Sequence, residues 1–138
     1  MPEHDAIERA TTELIASLGW SQETLDLGLR AGFRCEYCGR DLLASVDAYD
    51  AWQNDHIHPK SSGGGDSFDN KAVACGTCNR AKRNTVLDPG SEWNRTLMIE
   101  AYSRDVIEPR REKKRARLVR IKALLDVLSP NPNAEEGQ

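Results

Sequence analysis

Two short cysteine motifs, FRCEYCGR at residues 33–40 and ACGTCNRAK at residues 74–82, organise this sequence of 138 residues. In each motif two residues separate the cysteines, and this spacing lets a tight turn direct two thiolates at one metal ion. Two such turns supply the four ligands of a tetrahedral zinc site, and four thiolates leave no open position for catalysis. The spacing therefore predicts a structural Zn²⁺ held by Cys35, Cys38, Cys75 and Cys78.

Disulfide bonds and a redox-active thiol pair are the alternative uses of these cysteines. A thioredoxin-like site needs only one Cys-x-x-Cys pair, whereas all four cysteines here fall into two identical spacings. The sequence has no run of about 18 apolar residues, and its acidic N-terminus does not resemble a secretory signal. We therefore expect a cytoplasmic protein without membrane association, in which the thiols stay reduced.

The segment between the cysteine pairs is the expected location of function. It is 36 residues long, which exceeds the usual zinc-finger interval. Residues 51–57 are predicted to form a strand ended by Pro59, and residues 71–74 a return strand. The sequence SSGGGD at residues 61–66 between them is typical of a flexible hairpin loop, since it lacks the Gly-x-x-x-x-Gly-Lys pattern of a phosphate cradle.

Together, residues 33–86 resemble the HNH family of endonucleases. The family pattern consists of Asp-His-Ile-x-Pro, a glycine-rich loop, a central Asn, and Cys-x-x-Cys followed by His or Asn, with Lys three residues further on. The resemblance covers more than a third of the chain and combines at least six separate constraints. It implies an α+β fold built on a small ββα-metal hairpin–helix unit, flanked by helices.

The activity implied by this resemblance is metal-dependent hydrolysis of DNA phosphodiester bonds that leaves 5′-phosphate and 3′-hydroxyl ends. In that reaction His56 would be the general base that activates water, and Asp55 and Asn79 would hold Mg²⁺ or another divalent ion. Asn70 matches the middle Asn of the family, which braces the hairpin loop. A zinc-ribbon module that binds DNA without cleaving it remains the alternative on the same scaffold.

The chemistry of these residue types is consistent with the implied reaction. An imidazole titrates near neutrality, as a base that activates water must, and oxygen donors suit a hard ion such as Mg²⁺. Adjacent residues of a strand point to opposite faces, so Asp55 and His56 can share a site only at a strand end or at a local distortion. The family often has His where this chain has Asn79.

Charge is distributed unevenly along a chain whose net charge is −3. Residues 1–29 carry six acidic side chains and one basic one, whereas residues 110–122 carry eight basic side chains and one acidic one. Such asymmetry permits a local cationic surface on an acidic molecule. The predicted contacts with DNA, expected to be double-stranded, are Lys82, Arg83, Lys113, Lys114 and Arg117. A solvated helix face without a partner is the alternative for the basic stretch.

The remaining sequence is predicted to be mostly helical, with helices over residues 4–18, 21–29, 77–84, 91–107 and 109–128. Pro109 suits the first turn of the last helix. Apolar residues recur along that helix at helical spacing, so one face is expected to pack on the core: Leu118, Ile121, Leu124, Leu125 and Leu128. The predicted organisation is a helical segment (1–32), a nuclease core (33–86), a helical extension (87–128) and a disordered tail (129–138).

Overall fold

The computed structural model describes residues 3–129, which form helices around one two-stranded sheet. This α+β arrangement confirms the predicted fold class, and most of the tail predicted at residues 129–138 lies outside the described residues. None of the described helices is long and apolar enough to cross a membrane. In chain order the elements are α1 (His4–Thr12), α2 (Gln22–Ala31), α3 (Val46–Ala51), β1 (Gln53–His56), β2 (Lys71–Ala74), α4 (Gly76–Lys82), α5 (Arg95–Tyr102) and α6 (Glu108–Leu128).

The sheet is an antiparallel hairpin in which Gln53 pairs with Ala74 and His56 pairs with Lys71. Every residue of β2 is buried, because α2 packs against this strand. Helix α4 follows β2 directly and packs against β1, which completes a hairpin–helix unit. One residue, Cys75, connects β2 to α4, so the position of α4 relative to the hairpin is closely restrained, whereas residues 57–70 form a long loop between β1 and β2.

Local sequence signals set the helix ends. The Ser21 hydroxyl accepts a hydrogen bond from the Thr24 amide at the start of α2, and Gly32 ends that helix with φ of 64°, in the left-handed region that favours glycine. Ser45 caps α3 in the same way as Ser21 caps α2. The sequence did not predict α3, whose six residues are too few to show a helical period.

The predicted boundary before Pro109 is present, since α6 begins at Glu108, but no break separates the two C-terminal helices. Helical backbone runs without a break from Arg95 to Leu128, through a π-helical turn at Ser103–Ile107. Proline lacks an N–H and its ring crowds the carbonyl four residues earlier, so it disrupts a regular α-helix. The wider π turn immediately before Pro109 lets the helix continue instead of ending there.

The prediction that the apolar face of the last helix packs on the core is wrong. No residue of α6 is buried, and all its residues from 112 onward are exposed. The helix contacts the domain mainly through its first turns and the π-helical turn before it, where Val106 and Ile107 join the core. Twenty-one helical residues span about 30 Å, so the second half of α6 extends past the packed region.

Candidate active site and metal centre

The four cysteines come together at the base of the hairpin–helix unit. Their Sγ atoms all lie within 4.8 Å of one another, and the Cys38 and Cys75 Sγ atoms are 3.8 Å apart. A tetrahedral zinc with Zn–S bonds of about 2.3 Å requires sulfur–sulfur distances of about 3.8 Å. No disulfide joins these cysteines. The cluster therefore fits a metal ion such as zinc and confirms that the two motifs converge.

Local backbone geometry produces this convergence. In the first motif the Cys35 amide donates to the Arg40 carbonyl at 2.8 Å, which closes a tight turn. In the second motif Cys75 is the N-cap of α4, and its Sγ accepts from the Cys78 amide at 3.3 Å. Thiol hydrogen bonds within the cluster, first that from Cys35, lower the pKa of Cys75. The hydrogen bonds of the cluster raise the pKa of Cys35, first through Cys75, and that of Cys78, first through Cys35, so Cys75 is the thiol that ionises first.

Asp55 and His56 line the same cavity of about 280 Å³. His56 is the last residue of β1, so the cavity lies at the end of that strand, where the alternation of side chains no longer separates the two groups. Lys60, from the loop after β1, and Arg83, from the end of α4, line other parts of the wall. Two residues that are adjacent in sequence thus face one solvent-accessible space.

Two buried groups orient the Asp55 carboxylate. The Tyr37 hydroxyl donates to Asp55 Oδ2 at 2.6 Å, and Lys82 Nζ lies 3.2 Å from the same oxygen. Burial, followed by the nearby Asp55 charge, raises the pKa of Tyr37 well above its usual value, so its hydroxyl remains a donor. Asp55 Oδ1 has no hydrogen-bond partner among residues 3–129, and it is therefore the oxygen available to a metal ion.

Lys82, which the sequence predicted to contact DNA together with Arg83, is only 1% exposed, and it lines the same cavity as Asp55 and His56. Its ammonium group donates to the His56 carbonyl at 3.0 Å and lies 4.5 Å from the centre of the Tyr102 ring. Burial lowers the pKa of Lys82, and the Asp55 carboxylate opposes this effect. Helical periodicity predicted that Lys82 and Arg83 share one helix face. Tyr102 of α5 packs against Lys82, so the Lys82 side chain is buried.

The imidazole of His56 is held by Asp66, a residue that the sequence analysis did not select. His56 Nε2 lies 2.8 Å from Asp66 Oδ1, and Lys60 Nζ lies 3.0 Å from Asp66 Oδ2. The hydrogen bond with His56, and then that with Lys60, lowers the pKa of Asp66 to about 2. An ionised carboxylate only accepts hydrogen bonds, so Nε2 donates this one, and the neutral form of the ring keeps its lone pair on Nδ1. A carboxylate directly after the glycine-rich loop was the only sequence signal for this contact.

Asn70 fastens the loop that carries Asp66. Its amide nitrogen donates to the His58 and Gly65 carbonyls at 3.0 and 2.8 Å, and its Oδ1 accepts from the His58 amide at 2.9 Å. Gly64 lies so close to this bend that a Cβ atom there would be 1.8 Å from the His58 carbonyl oxygen. The glycine therefore serves a close backbone approach, and Asn70 joins the two ends of the loop.

Comparison with known proteins agrees with this geometry. Residues 35–85 match the family model described as HNH endonuclease. These 51 residues, fewer than half of the chain, are similar to an HNH domain. The match begins at the first cysteine and ends just after α4, so it contains the hairpin, both cysteine pairs and the cavity residues Asp55 and His56. HNH domains are generally nucleases, which indicates a nuclease or DNA-binding function. Neither the curated proteins nor the solved structures include a match to the chain.

Asn79 lies on α4 and Arg83 is the residue that follows it, and the two side chains differ in their surroundings. Asn79 is half-buried, forms no side-chain hydrogen bond within residues 3–129, and is not among the residues that line the cavity. Arg83 follows the last residue of α4 with φ of 54° and ψ of −145°, a conformation that L-residues rarely adopt. This backbone directs Arg83 into the wall of the cavity.

Arg83 also belongs to a second, larger depression of about 540 Å³ between α4 and α6, which we call the cationic groove. Arg110 anchors its far side by donating to the Ala81 carbonyl at 2.7 Å and to Thr85 Oγ1 at 2.8 Å. No acidic residue lines the groove, whose basic residues include Arg80, Arg83, Lys113, Lys114 and Arg117. Because Arg83 lines both depressions, the positive surface runs from the groove into the cavity that contains Asp55 and His56.

Proposed function

We propose that the chain is an endonuclease that hydrolyses phosphodiester bonds of double-stranded DNA with the help of a divalent ion. The observation that supports this most strongly is the convergence of Asp55 and His56 on one cavity whose wall also contains Lys60 and Arg83. A carboxylate, an imidazole and two cations within one open space form a site suited to a phosphate group and an attacking water molecule.

His56 is the proposed general base. With Nε2 engaged by Asp66, the free Nδ1 lone pair can accept a proton from water as the water attacks phosphorus. Asp66 then acts as a positioning residue, because its carboxylate fixes both the tautomer and the ring orientation of His56. Lys60 in turn holds the other oxygen of Asp66. This chain of contacts keeps the base aligned before substrate arrives.

A divalent cation such as Mg²⁺ would supply charge stabilisation for the phosphate and the leaving oxygen. Asp55 Oδ1, which has no partner within the described residues, is the proposed ligand in the cavity. Asn79 lies outside the cavity lining and is proposed as the second ligand on the family pattern alone; both offer the oxygen atoms that hard cations prefer. Lys82 and Tyr37 hold the second oxygen of Asp55, so the carboxylate is oriented in advance. The four cysteines would hold Zn²⁺ in a separate, structural role.

The cationic groove is the proposed path of the DNA backbone toward the cavity. Arg83, Lys113, Lys114 and Arg117 would contact phosphates, which increases affinity without reading base sequence. Arg80 is an addition from the structure, since it lines the same groove. The nuclease core would then span residues 33–86, with residues 87–128 as its DNA-binding extension.

A zinc-ribbon module that binds DNA without cleaving it is the competing proposal, and the cationic groove would serve it equally well. The two proposals differ over the cavity, because a binding module has no use for an imidazole held in one tautomer. Cleavage of supercoiled plasmid DNA by the zinc-loaded protein with Mg²⁺ separates them. DNA binding without any cleavage would favour the binding module.

The decisive variant is His56→Ala, which is expected to lower the cleavage rate by roughly 10²–10⁴-fold, as loss of a general base does. Asp66→Asn keeps an oxygen that can accept from Nε2 and should retain most activity, whereas Asp66→Leu should lose it. Zinc content and circular dichroism should match the wild type in all three variants. Cleavage by His56→Ala at the wild-type rate would refute the assignment of the base.

A further inference from the structure

Arg111, near the start of α6, contacts the four-cysteine cluster directly. Its Nη1 atom donates to the Cys78 Sγ atom at 3.5 Å, and the Cys78 side chain is fully buried. Among residues 3–129, no other charged side chain donates a hydrogen bond to a cysteine sulfur. Arg111 therefore lies at the junction between the metal centre and the helix that forms one side of the cationic groove.

The charge of the cluster determines the strength of this contact. Four thiolates around one Zn²⁺ ion leave an excess of negative charge. A hydrogen bond to an ionised acceptor is roughly twice as strong as one between neutral groups, and a guanidinium also supplies a countercharge. Groups of this kind around a metal centre orient its ligands and influence its affinity for the ion. Arg111 should thus be held more firmly when the cluster contains zinc than when its thiols are protonated.

Arg110 and Arg111 together fix α6 where the helix leaves the domain. Arg110 donates to Thr85 Oγ1, beyond the end of α4, whereas Arg111 reaches Cys78 within α4. Successive residues of a helix point about 100° apart around its axis, so the two side chains hold α6 from two directions. They are the last half-buried residues of the helix, because every residue from 112 onward is exposed.

The proposed phosphate contacts on α6 directly follow this anchor. Lys113 and Lys114 lie within the next turn of the helix, and Arg117 lies within the second. A rotation of the first turns of a helix displaces the side chains that follow. The contact made by Arg111 therefore sets the position of these cations relative to Arg83, which lines the same groove from the end of α4.

We propose that Arg111 is a positioning residue through which the zinc-loaded cluster orients the part of α6 that lines the cationic groove. Zinc in the cluster thereby increases the affinity of the groove for DNA. The role of DNA rests on the proposed function, whereas the contact between Arg111 and the cluster does not. Coupling between two sites is reciprocal, so DNA bound in the groove must strengthen zinc binding by the same factor.

The first test is the absorption spectrum of the protein with Co²⁺ in place of Zn²⁺, which reports on the sulfur ligands. Arg111→Met removes the charge and the donor, so the charge-transfer band from sulfur to cobalt should move to lower energy. Arg111→Lys keeps the charge and should restore much of the shift. Arg110→Met is the matched control, since it loosens the same turn of α6 without a bond to cysteine, and its band should not move. An unshifted band in Arg111→Met would overturn the proposal.

Zinc affinity, measured by competition with a chelator in the absence of DNA, gives the size of the effect. Arg111→Met should bind zinc roughly 10-fold more weakly than the wild type, the usual loss when a group that supports metal ligands is removed. Lys114→Met also removes one groove cation, but no hydrogen bond joins Lys114 to a cysteine in the described part of the chain. Its zinc affinity should equal that of the wild type. Equal affinities for Arg111→Met and the wild type would contradict the proposal.

The coupling is measured by repeating this titration with a saturating concentration of duplex DNA. DNA should strengthen zinc binding in every variant, because zinc also supports the fold that binds DNA. The factor should be roughly 5-fold larger in the wild type and Lys114→Met than in Arg111→Met. Equal factors in all three proteins would overturn the proposal. A wild type that binds no DNA would instead refute the proposed function, and the cobalt spectrum would still decide whether Arg111 acts on the cluster.

Discussion

Replacing Lys82 with Met should lower the free energy of unfolding by about 4 kcal/mol, the usual cost of breaking a buried ion pair by removing one partner. The ammonium group of Lys82 lies 3.2 Å from Asp55 Oδ2 and donates to the His56 carbonyl at 3.0 Å. Without it, a largely buried carboxylate loses its counter-charge and a backbone carbonyl loses its donor. Methionine has a similar length and is apolar, so the substitution leaves little empty space.

The measurement is urea unfolding of the zinc-loaded protein without added Mg²⁺, followed by circular dichroism. A small domain has a stability of about 5–15 kcal/mol, so the Lys82→Met variant is expected to fold but to unfold at much lower urea. Lys60→Met is the matched control, because Lys60 forms an exposed pair with Asp66, and its loss should cost about 0.5 kcal/mol or less.

A double-mutant cycle shows whether the pair itself is responsible. Asp55→Asn/Lys82→Met removes both charges, and the Asn side chain can still accept from Tyr37, so much of the lost stability should return. We expect a coupling energy of at least about 2 kcal/mol between the two positions. Additive effects of the two substitutions, or a loss below about 1 kcal/mol for Lys82→Met, would refute the view that Lys82 and Asp55 form one buried unit.

Three further predictions concern the metal sites and the groove. Cys75→Ser, or chelation of zinc, should lower Tm by roughly 10 °C or more, because ligation of the ion is coupled to folding; a calorimetric scan with unchanged Tm would contradict the zinc site. Asn79→Ala should require at least about 10-fold more Mg²⁺ for cleavage, whereas Asn79→His should stay active and shift toward Mn²⁺; an unchanged metal titration would remove Asn79 from the site. Lys113→Gln/Lys114→Gln/Arg117→Gln should flatten the dependence of log affinity on log salt by about 2–3, whereas Arg120→Gln, outside the groove, should leave it unchanged; equal slopes would support a solvated helix face.

Features that depend on near neighbours in the chain were predictable from the sequence. The two-residue spacing within each cysteine pair confines both thiols to one turn. The two pairs were predicted to converge because one tetrahedral zinc ion needs four thiolates. The strand from Lys71 to Ala74 and the brace made by Asn70 also lie within the family pattern, directly before the second cysteine pair. The capping serine at position 21 marked the start of α2 in the same way.

Features that depend on distant segments were decided only by the tertiary structure. Helical spacing placed Lys82 beside Arg83, but the position of Tyr102, twenty residues later, determined that Lys82 is buried against Asp55. Asp66 became the partner of His56 because the braced loop folds back over the end of β1. An apolar period in α6 predicted a buried face, yet periodicity shows only which residues share a face and not whether anything packs against it. Whether a face is buried depends on the whole packed molecule, and the second half of α6 extends past the packed region.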